Sequence, residues 1–263
     1  MFDYKEAFDR NVGWLTEAEQ QTMRRKRVAI GGCGGVGGAH LLTLARLGVG
    51  AFTIADFDRF ELANFNRQVG ATTGAIGRPK VEVMAELARA INPELDLRIL
   101  PEGVLAENLD RFLAGADLLV DGFDFHALDI RSRAFALAHA QGIPAITAGP
   151  IGLSAAYVIF LPGEMSFEQY FRLSGCSQAE MEQRFLHGLA PAAPYRSYLA
   201  DPSRFDLERR RAPSIGAACQ LCAGVVGIAA IKLFTGRGEV KAAPWHHQFD
   251  PFCNLYSCER AAV

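Results

Sequence analysis

The segment from Val28 to Asp58 constrains the fold more than any other part of the chain. It reads as a strand, a glycine-rich turn, a helix, a second strand and an acid. Four glycines in the turn are spaced as G-x-G-G-x-G: Gly32, Gly34, Gly35 and Gly37. Glycines at this point let the backbone amides of a helix N-terminus approach a phosphate closely. Asp56 follows the second apolar run at the distance where an acid commonly meets a ribose hydroxyl. The segment therefore predicts a nucleotide-binding site.

The pattern around this segment predicts a doubly wound, Rossmann-like α/β fold. Strands alternate with helices as far as Ala148, which is typical of a mostly parallel sheet. After Gly149, the apolar run Leu153 to Leu161 is expected to be an antiparallel strand, and Val240 to Phe249 one last strand. We expect residues 1–263 to form a single domain with an antiparallel C-terminal extension.

One irregular segment interrupts this domain. Residues 162–213 are rich in proline and contain two weak helical patterns, near Phe167 and Gln178. Long irregular segments in compact domains are often functional. We therefore expect a lid or crossover that covers the substrate.

Composition and charge indicate which binding partners and which cellular compartment to expect. The 263-residue chain has a net charge of −2, which argues against a nucleic-acid-binding surface. The charged clusters Arg24 to Arg27 and Glu208 to Arg211 are interpreted as solvated faces. The six cysteines do not suggest a disulfide framework, and the N-terminus has no apolar stretch of signal-peptide length, so a cytoplasmic protein is expected.

A second apolar feature raises the question of a membrane span. Residues 212–231 carry no charge over twenty positions, the length of a bilayer crossing. The run is nevertheless rich in small residues, contains Gln220 and lacks flanking aromatic belts. We expect a buried or interface helix, from about Ser214 to Leu233, and no membrane association.

Polar residues suited to a triphosphate follow the second strand. The loop carries an acid, two amides and a guanidinium: Asp58, Asn64, Arg67 and Gln68. An arginine guanidinium can donate two parallel hydrogen bonds to phosphate oxygens, and an asparagine amide can donate one. Lys80 comes next, at a helix start after Pro79, where its charge can meet a phosphate. A nicotinamide site has no need for this set, so the loop favours ATP over NAD.

A carboxylate pair follows a later strand. Asp121 and Asp124 come directly after the apolar run Leu118 to Val120, at the edge where doubly wound sheets bind ligands. A carboxylate there can hold Mg²⁺ that bridges triphosphate oxygens. Asp124 is the predicted magnesium ligand, and it could also cap the next helix.

The order of these motifs resembles the E1-like adenylyltransferases, the family of the bacterial ThiF and MoeB proteins and the ubiquitin-activating enzymes. The motifs are Arg10-Asn11, G-x-G-G-x-G, DFD, N-x-x-RQ, G-x-PK and D-x-x-D. The resemblance covers roughly residues 8–160 and resumes in the helix around 214–236. It implies a homodimer that uses ATP and Mg²⁺. It also implies attack of a carboxylate on the α-phosphate, which gives an acyl-adenylate and pyrophosphate.

The resemblance also implies roles for individual residues. Arg10 is similar to an arginine that family members send into the neighbouring subunit's ATP site. Asp56 matches the ribose-binding acid, and Asp124 the magnesium-linked aspartate. The remaining positions match phosphate contacts: Asn64, Arg67 and Lys80.

The cysteines depart from the family pattern. ThiF- and MoeB-like proteins usually carry two C-x-x-C pairs that hold a structural zinc. This chain has only Cys219 and Cys222 at that spacing, inside the apolar helix; Cys253 and Cys258 have four residues between them. This geometry is poor for tetrahedral closure, so zinc is not expected.

Cys176 is the only cysteine in segment 162–213 and is therefore the one candidate there for a thioester-forming nucleophile. Its neighbours in sequence supply no base or cation to activate it.

The sequence leaves the substrate and two other functions open. The activated carboxylate is the C-terminus of a small carrier protein or peptide, or a small-molecule acid. An NAD-dependent oxidoreductase on the same glycine turn is the alternative enzyme. An inactive nucleotide-binding scaffold is the non-enzymatic alternative.

Overall fold

The computed structural model describes residues 1–205 and 212–261, which form eight strands and nine α-helices. The strands are β1 (Arg27–Gly31), β2 (Ala51–Ala55), β3 (Asp96–Leu100), β4 (Leu118–Asp121), β5 (Ala145–Ile151), β6 (Ser154–Phe160), β7 (Trp245–Asp250) and β8 (Leu255–Arg260). The helices are α1 (Tyr4–Ala7), α2 (Glu17–Arg25), α3 (Gly35–Arg46), α4 (Lys80–Ile91), α5 (Leu109–Leu113), α6 (Leu128–Ala140), α7 (Phe167–Phe171), α8 (Gln178–Leu189) and α9 (Gly216–Thr235).

The strands form one mixed sheet in the order β3-β2-β1-β4-β5-β6-β7-β8. The first five strands are parallel, and β6, β7 and β8 continue the sheet in antiparallel pairs. The central strands are apolar on both faces because helices cover both sides. In β1, Val28 and Ile30 face one core and Ala29 faces the other. The predicted doubly wound fold with an antiparallel extension is confirmed.

Local sequence signals set several helix ends. The Thr16 hydroxyl accepts a hydrogen bond from the Glu19 N–H, and the Glu19 carboxylate accepts one from the Thr16 N–H. This capping box starts α2 at Glu17. Gly236 has a positive φ of 68° and ends α9.

The long apolar helix α9 packs inside the protein. It contacts α3, β5 and β6, and a Cβ on Gly227 would stand 3.1 Å from Leu47 and 3.2 Å from Thr43. Within the described residues, α9 is the one helix long and apolar enough to cross a bilayer, and half of its most apolar window is buried. Small residues allow this close packing on α3.

Two predictions about the C-terminus and the basic cluster need correction. The last predicted strand, Val240 to Phe249, begins only at Trp245 and forms a hairpin with β8. Pro244, just before it, has no N–H to donate to the sheet. Arg27 is buried rather than solvated. It pairs with Asp96 and donates to the Phe52 carbonyl at 3.0 Å.

The irregular segment contains more structure than its sequence pattern suggests. Helices α7 and α8 lie at the two weak helical patterns, and two 3₁₀ turns follow at Pro194–Ser197 and Pro202–Arg204. Ser177 caps α8 through a second capping box with Glu180. The charged cluster from Glu208 to Arg211 lies outside the described residues. The name "cap" is used below for α8 together with residues 194–205.

Candidate functional site

A cavity of about 390 Å³ opens where β1, β2, β4 and β5 end. This is the edge at which open α/β sheets bind ligands. The cavity brings together nine of the residues predicted from the sequence: Gly32, Gly34, Gly35, Asp56, Asp58, Arg67, Gln68, Lys80 and Asp124.

The glycine turn is shaped by close backbone approaches. Gly32 has a φ of +95°, and a Cβ there would stand 2.0 Å from the Gly122 carbonyl oxygen. A Cβ on Gly37 would stand 2.0 Å from the Gly32 carbonyl oxygen, so Gly37 supports the turn from behind rather than lining the cavity. Gly34 caps α3 without a side chain. The first amides of α3 therefore have no side-chain acceptor and suit an anion.

Asp56 is held in one orientation at the edge of the turn. Its carboxylate accepts hydrogen bonds from the Cys33 N–H at 2.6 Å and from the Asp58 N–H at 2.8 Å. Burial raises the pKa of Asp56, and these two backbone donors oppose the shift. The oriented carboxylate remains a hydrogen-bond acceptor for a hydroxyl that enters the cavity.

Lys80 brings a buried positive charge to the cavity. Only 8% of its side chain is exposed, and its Nζ lies 2.9 Å from a carboxylate oxygen of Asp58, which is half exposed. The ion pair holds the buried ammonium group at the start of α4. A phosphate that entered the cavity would meet this charge directly.

Arg67 and Gln68 lie in the cavity wall beside the glycine turn. The Arg67 guanidinium donates from Nη1 to the Ala63 carbonyl and to Asn66 Oδ1, both at 3.0 Å. Gln68 is buried beside Gly34, and its Oε1 has no hydrogen-bond partner among the described residues. A buried amide oxygen without a donor points to a ligand or water in the cavity.

Asn64 lies beneath this loop and not in the cavity wall. Its side-chain oxygen accepts the Glu61 N–H at 2.9 Å, which fixes the 3₁₀ turn before Arg67. Direct contact with a phosphate stays a prediction for this residue.

The two acids after β4 differ in their surroundings. Asp121 is buried, and its carboxylate accepts hydrogen bonds from Arg131 at 2.8 Å, Thr147 at 2.6 Å and the Phe123 N–H at 3.0 Å. Asp124 is exposed to the cavity, and its carboxylate accepts one hydrogen bond among the described residues, from the His126 N–H at 3.0 Å. Asp121 therefore holds the loop, whereas Asp124 has the oxygen available for a metal.

The donor set suits magnesium better than zinc. Mg²⁺ commonly takes one or two carboxylates and completes its shell with phosphate oxygens and water. Asp124 beside a phosphate site fits this pattern. Within residues 1–205 and 212–261, no group of three or more His, Cys, Asp or Glu residues is arranged to hold a metal ion.

Besides Gly37 and Asn64, two further predicted residues lie outside the cavity wall. Arg10 is exposed on the 3₁₀ turn Asp9–Asn11. Cys176 is half exposed before α8, where its Sγ lies 3.6 Å from the Arg172 carbonyl oxygen. In this chain alone, neither side chain joins the site.

The cavity also contains residues that sequence reasoning missed. Phe57 is 76% exposed and lies in the cavity wall directly after Asp56. Cys219, on the first turns of α9, lies beside Gly35, and burial raises the pKa of its thiol. The cap adds apolar side chains from α8 and from the 3₁₀ turns. The cap positions are dispersed along an irregular segment with no motif, so the sequence carried no signal for them.

Comparison with known proteins identifies relatives of this arrangement. A family model described as "ThiF family" matches residues 8–261. A tRNA threonylcarbamoyladenosine dehydratase of Haemophilus influenzae is 35% identical over 133 residues, which are 49% of this chain and 49% of that protein. The sulfur carrier protein ThiS adenylyltransferase of Escherichia coli is 34% identical over 143 residues, 54% of this chain and 56% of the relative. The chain spans about half the length of these curated relatives.

A solved structure supports the fold over nearly the whole chain. The crystal structure of selenomethionine-labelled PaaA matches with a TM-score of 0.74 at 20% identity. The match covers 97% of this chain and 82% of PaaA. At this identity the similarity concerns the fold.

Proposed function

The chain belongs to the ThiF family, whose members are E1-like proteins, and on that premise we propose that it is an ATP-dependent adenylyltransferase that activates a carboxylate. One observation carries the proposal. Arg67, Lys80 and Asp124 come from three separate parts of the chain and converge on one cavity beside a glycine turn. The ThiS-directed relative, an adenylyltransferase by name, supports the same chemistry.

Each part of ATP has a complementary surface in the cavity. Asp56 accepts a hydrogen bond from the ribose, and Phe57 with Val104 offers apolar surface to the purine. The first amides of α3 and Gln68 face the phosphates. Asp124 would hold Mg²⁺, which would supply positive charge against the triphosphate.

The reaction needs positioning and charge neutralisation rather than a side-chain nucleophile. A substrate carboxylate oxygen attacks the α-phosphorus, a new P–O bond forms, and the bond to the pyrophosphate breaks with its electron pair on the leaving oxygen. No proton is transferred in this step. Arg67 and Lys80 offset the repulsion between the anionic acid and the phosphate, and they stabilise the charge that develops in the transition state.

We also propose a homodimer in which Arg10 reaches the partner's cavity. Arg10 is exposed and absent from its own cavity wall. Trp14, four residues further along the chain, is 86% exposed, and Ile228 on α9 is 58% exposed. Large apolar side chains left in solvent are typical of an association surface. We also propose that the protein acts in the cytoplasm, and that the acid it activates is a carrier protein, a peptide or a small molecule.

ATP–pyrophosphate exchange tests the activity. Wild-type protein should exchange labelled pyrophosphate into ATP only when Mg²⁺ and a suitable acid are present. Lys80→Met should reduce the exchange rate at least about 100-fold, because loss of one positioned charge commonly costs that much. Lys5→Met is the matched control, since Lys5 is exposed and pairs with Glu17 at the surface. Equal rates in the two variants would refute the site. Stabilisation by NAD and not by ATP would favour the oxidoreductase alternative.

A further inference from the structure

The cavity is divided by charge into two halves. One half, called the nucleotide half, contains five charged side chains: Asp56, Asp58, Arg67, Lys80 and Asp124. The buried ion pair of Asp121 and Arg131 lies beneath it. These seven are all the charged side chains among the described lining residues. The other half lies between the end of β5 and the cap. Its wall is apolar and aromatic: Pro150, Ile151, Leu186, Leu189, Tyr195 and Phe205. None of the described residues in this half is charged.

The apolar half is a built surface and not a loose loop. Gly152 has a φ of +67°, and a Cβ there would stand 2.5 Å from Tyr195 Cβ and 2.6 Å from the Tyr198 hydroxyl. The Tyr198 hydroxyl donates to the buried Asp250 carboxylate at 2.8 Å and accepts the Leu153 N–H at 3.0 Å. These contacts fasten the cap to β6 and β7 at a fixed distance from the end of β5.

Aromatic contacts fix the helical part of the cap as well. The Arg131 guanidinium carbon lies 4.5 Å from the centroid of the Phe185 ring, which links α8 to the loop that holds Asp124. Tyr195 and Phe205 have their ring centroids 6.5 Å apart at an interplanar angle of 23°. The cap therefore presents rigid apolar surface directly beside the phosphate-binding groups.

We propose that the acid activated at this site carries an uncharged apolar group, an aromatic ring or a branched aliphatic chain, close to its carboxyl group, and that the cap half of the cavity binds that group. The proposal rests on the adenylation proposed above and specifies its substrate class. An apolar group gains free energy by leaving water for this wall. A charged group would lose its hydration without finding a partner among the described side chains. A glycine-ended chain would leave most of the apolar wall uncovered.

Stable mimics of the acyl-adenylate test the two halves separately. Calorimetry would compare acyl-free 5′-O-sulfamoyladenosine with its 3-phenylpropanoyl, 4-methylpentanoyl, succinyl and glycylglycyl derivatives. We expect the two apolar derivatives to bind at least about tenfold more tightly than the succinyl and glycylglycyl ones, a difference of about 1.4 kcal/mol. Equal or tighter binding of the succinyl or glycylglycyl compound overturns the substrate class. If no compound binds, including the acyl-free one, the adenylation proposal itself fails and this inference fails with it.

A charge introduced into the cap half gives a second, independent test. Leu186 is half buried in the cavity wall, so Leu186→Lys places a cation there with little disturbance of the core. We expect this variant to bind the phenylpropanoyl compound about tenfold more weakly, to bind the succinyl compound more tightly, and to bind acyl-free sulfamoyladenosine as before. Leu186→Met, which conserves volume, should keep the wild-type order. An unchanged preference in Leu186→Lys overturns the assignment.

Exchange assays identify the source of the apolar acid. The two substrates compared are free 4-methylpentanoate and a tetrapeptide with a C-terminal leucine. Exchange with the free acid supports a small-molecule substrate, and exchange only with the peptide supports a peptide terminus. A protein that binds ATP but exchanges with neither overturns the proposal.

Discussion

The hydroxyl of Tyr198 is expected to hold the cap on the sheet, so Tyr198→Phe should loosen the cap without disturbing the nucleotide half. The substitution removes two hydrogen bonds, one to the Asp250 carboxylate and one from the Leu153 N–H. Asp250 is completely buried, and among the described residues its carboxylate would keep the hydrogen bond from the Cys253 N–H at 3.1 Å. Burial raises the pKa of Tyr198 to about 12, so the hydroxyl remains a donor at physiological pH.

The magnitude follows from the chemistry of the two bonds. A hydrogen bond to a charged acceptor contributes about 1.5–3 kcal/mol and a neutral one about 1 kcal/mol. Because Tyr198 is partly exposed, we expect the sum to lie at the lower end, at a loss of about 2–3 kcal/mol. Tyr195→Phe is the matched control, since that hydroxyl has no hydrogen-bond partner among the described residues.

Two measurements check this expectation. Urea denaturation gives the loss of unfolding free energy, and hydrogen exchange reports on the Leu153 amide, whose acceptor the substitution removes. We expect that amide to exchange at least about tenfold faster in Tyr198→Phe. Unfolding free energies within about 0.5 kcal/mol of the wild type, with unchanged Leu153 protection, would refute the role of this hydroxyl.

Three other changes test the site, the assembly and the core. Arg67→Ala or Asp124→Ala should abolish ATP–pyrophosphate exchange without unfolding the protein, as circular dichroism would check; unimpaired exchange in both would be evidence against the site. Mixing Arg10→Ala with Asp124→Ala subunits should restore about a quarter of wild-type activity, because half of the dimers are mixed and each holds one complete site; no recovery after verified subunit exchange would rule out an Arg10 that acts in the partner's site. Burial lowers the pKa of His40 to about 3 from 6.5. Between these values the unfolded chain binds more protons, so stability should fall by about 2 kcal/mol as the pH drops from 7.5 to 5. His40→Leu should remove that share of the pH dependence, as urea denaturation at both pH values would show.

The parallel half of the fold was predictable because its signals are local and periodic. The strand ending at Gly31, the helix after Gly34 and the strand ending at Ala55 follow from apolar runs punctuated by glycine. β8 was missed because it is a half-exposed edge strand with little apolar alternation.

The nucleotide half of the site was predictable for a related reason. Asp56, Arg67 and Lys80 each follow a recognisable turn or helix start, and the sheet brings these points to one edge. The distinction between Asp121 and Asp124 was not predictable, because it depends on Arg131 and Thr147 folding back onto one of them. A substrate cover and a helix near Gln178 were predicted in residues 162–213, but the apolar wall of the cap was not, since tertiary packing on Gly152 and Asp250 assembles it.

Calorimetric titration of the purified chain with ATP in the presence of Mg²⁺ tests the central claim most directly, with NAD titrated in parallel. The geometry of the cavity predicts saturable heat at about one ATP per chain, strongly reduced in Lys80→Met, and none with NAD. Absence of heat with ATP, or equal binding of NAD, would contradict the assignment of this cavity to a triphosphate.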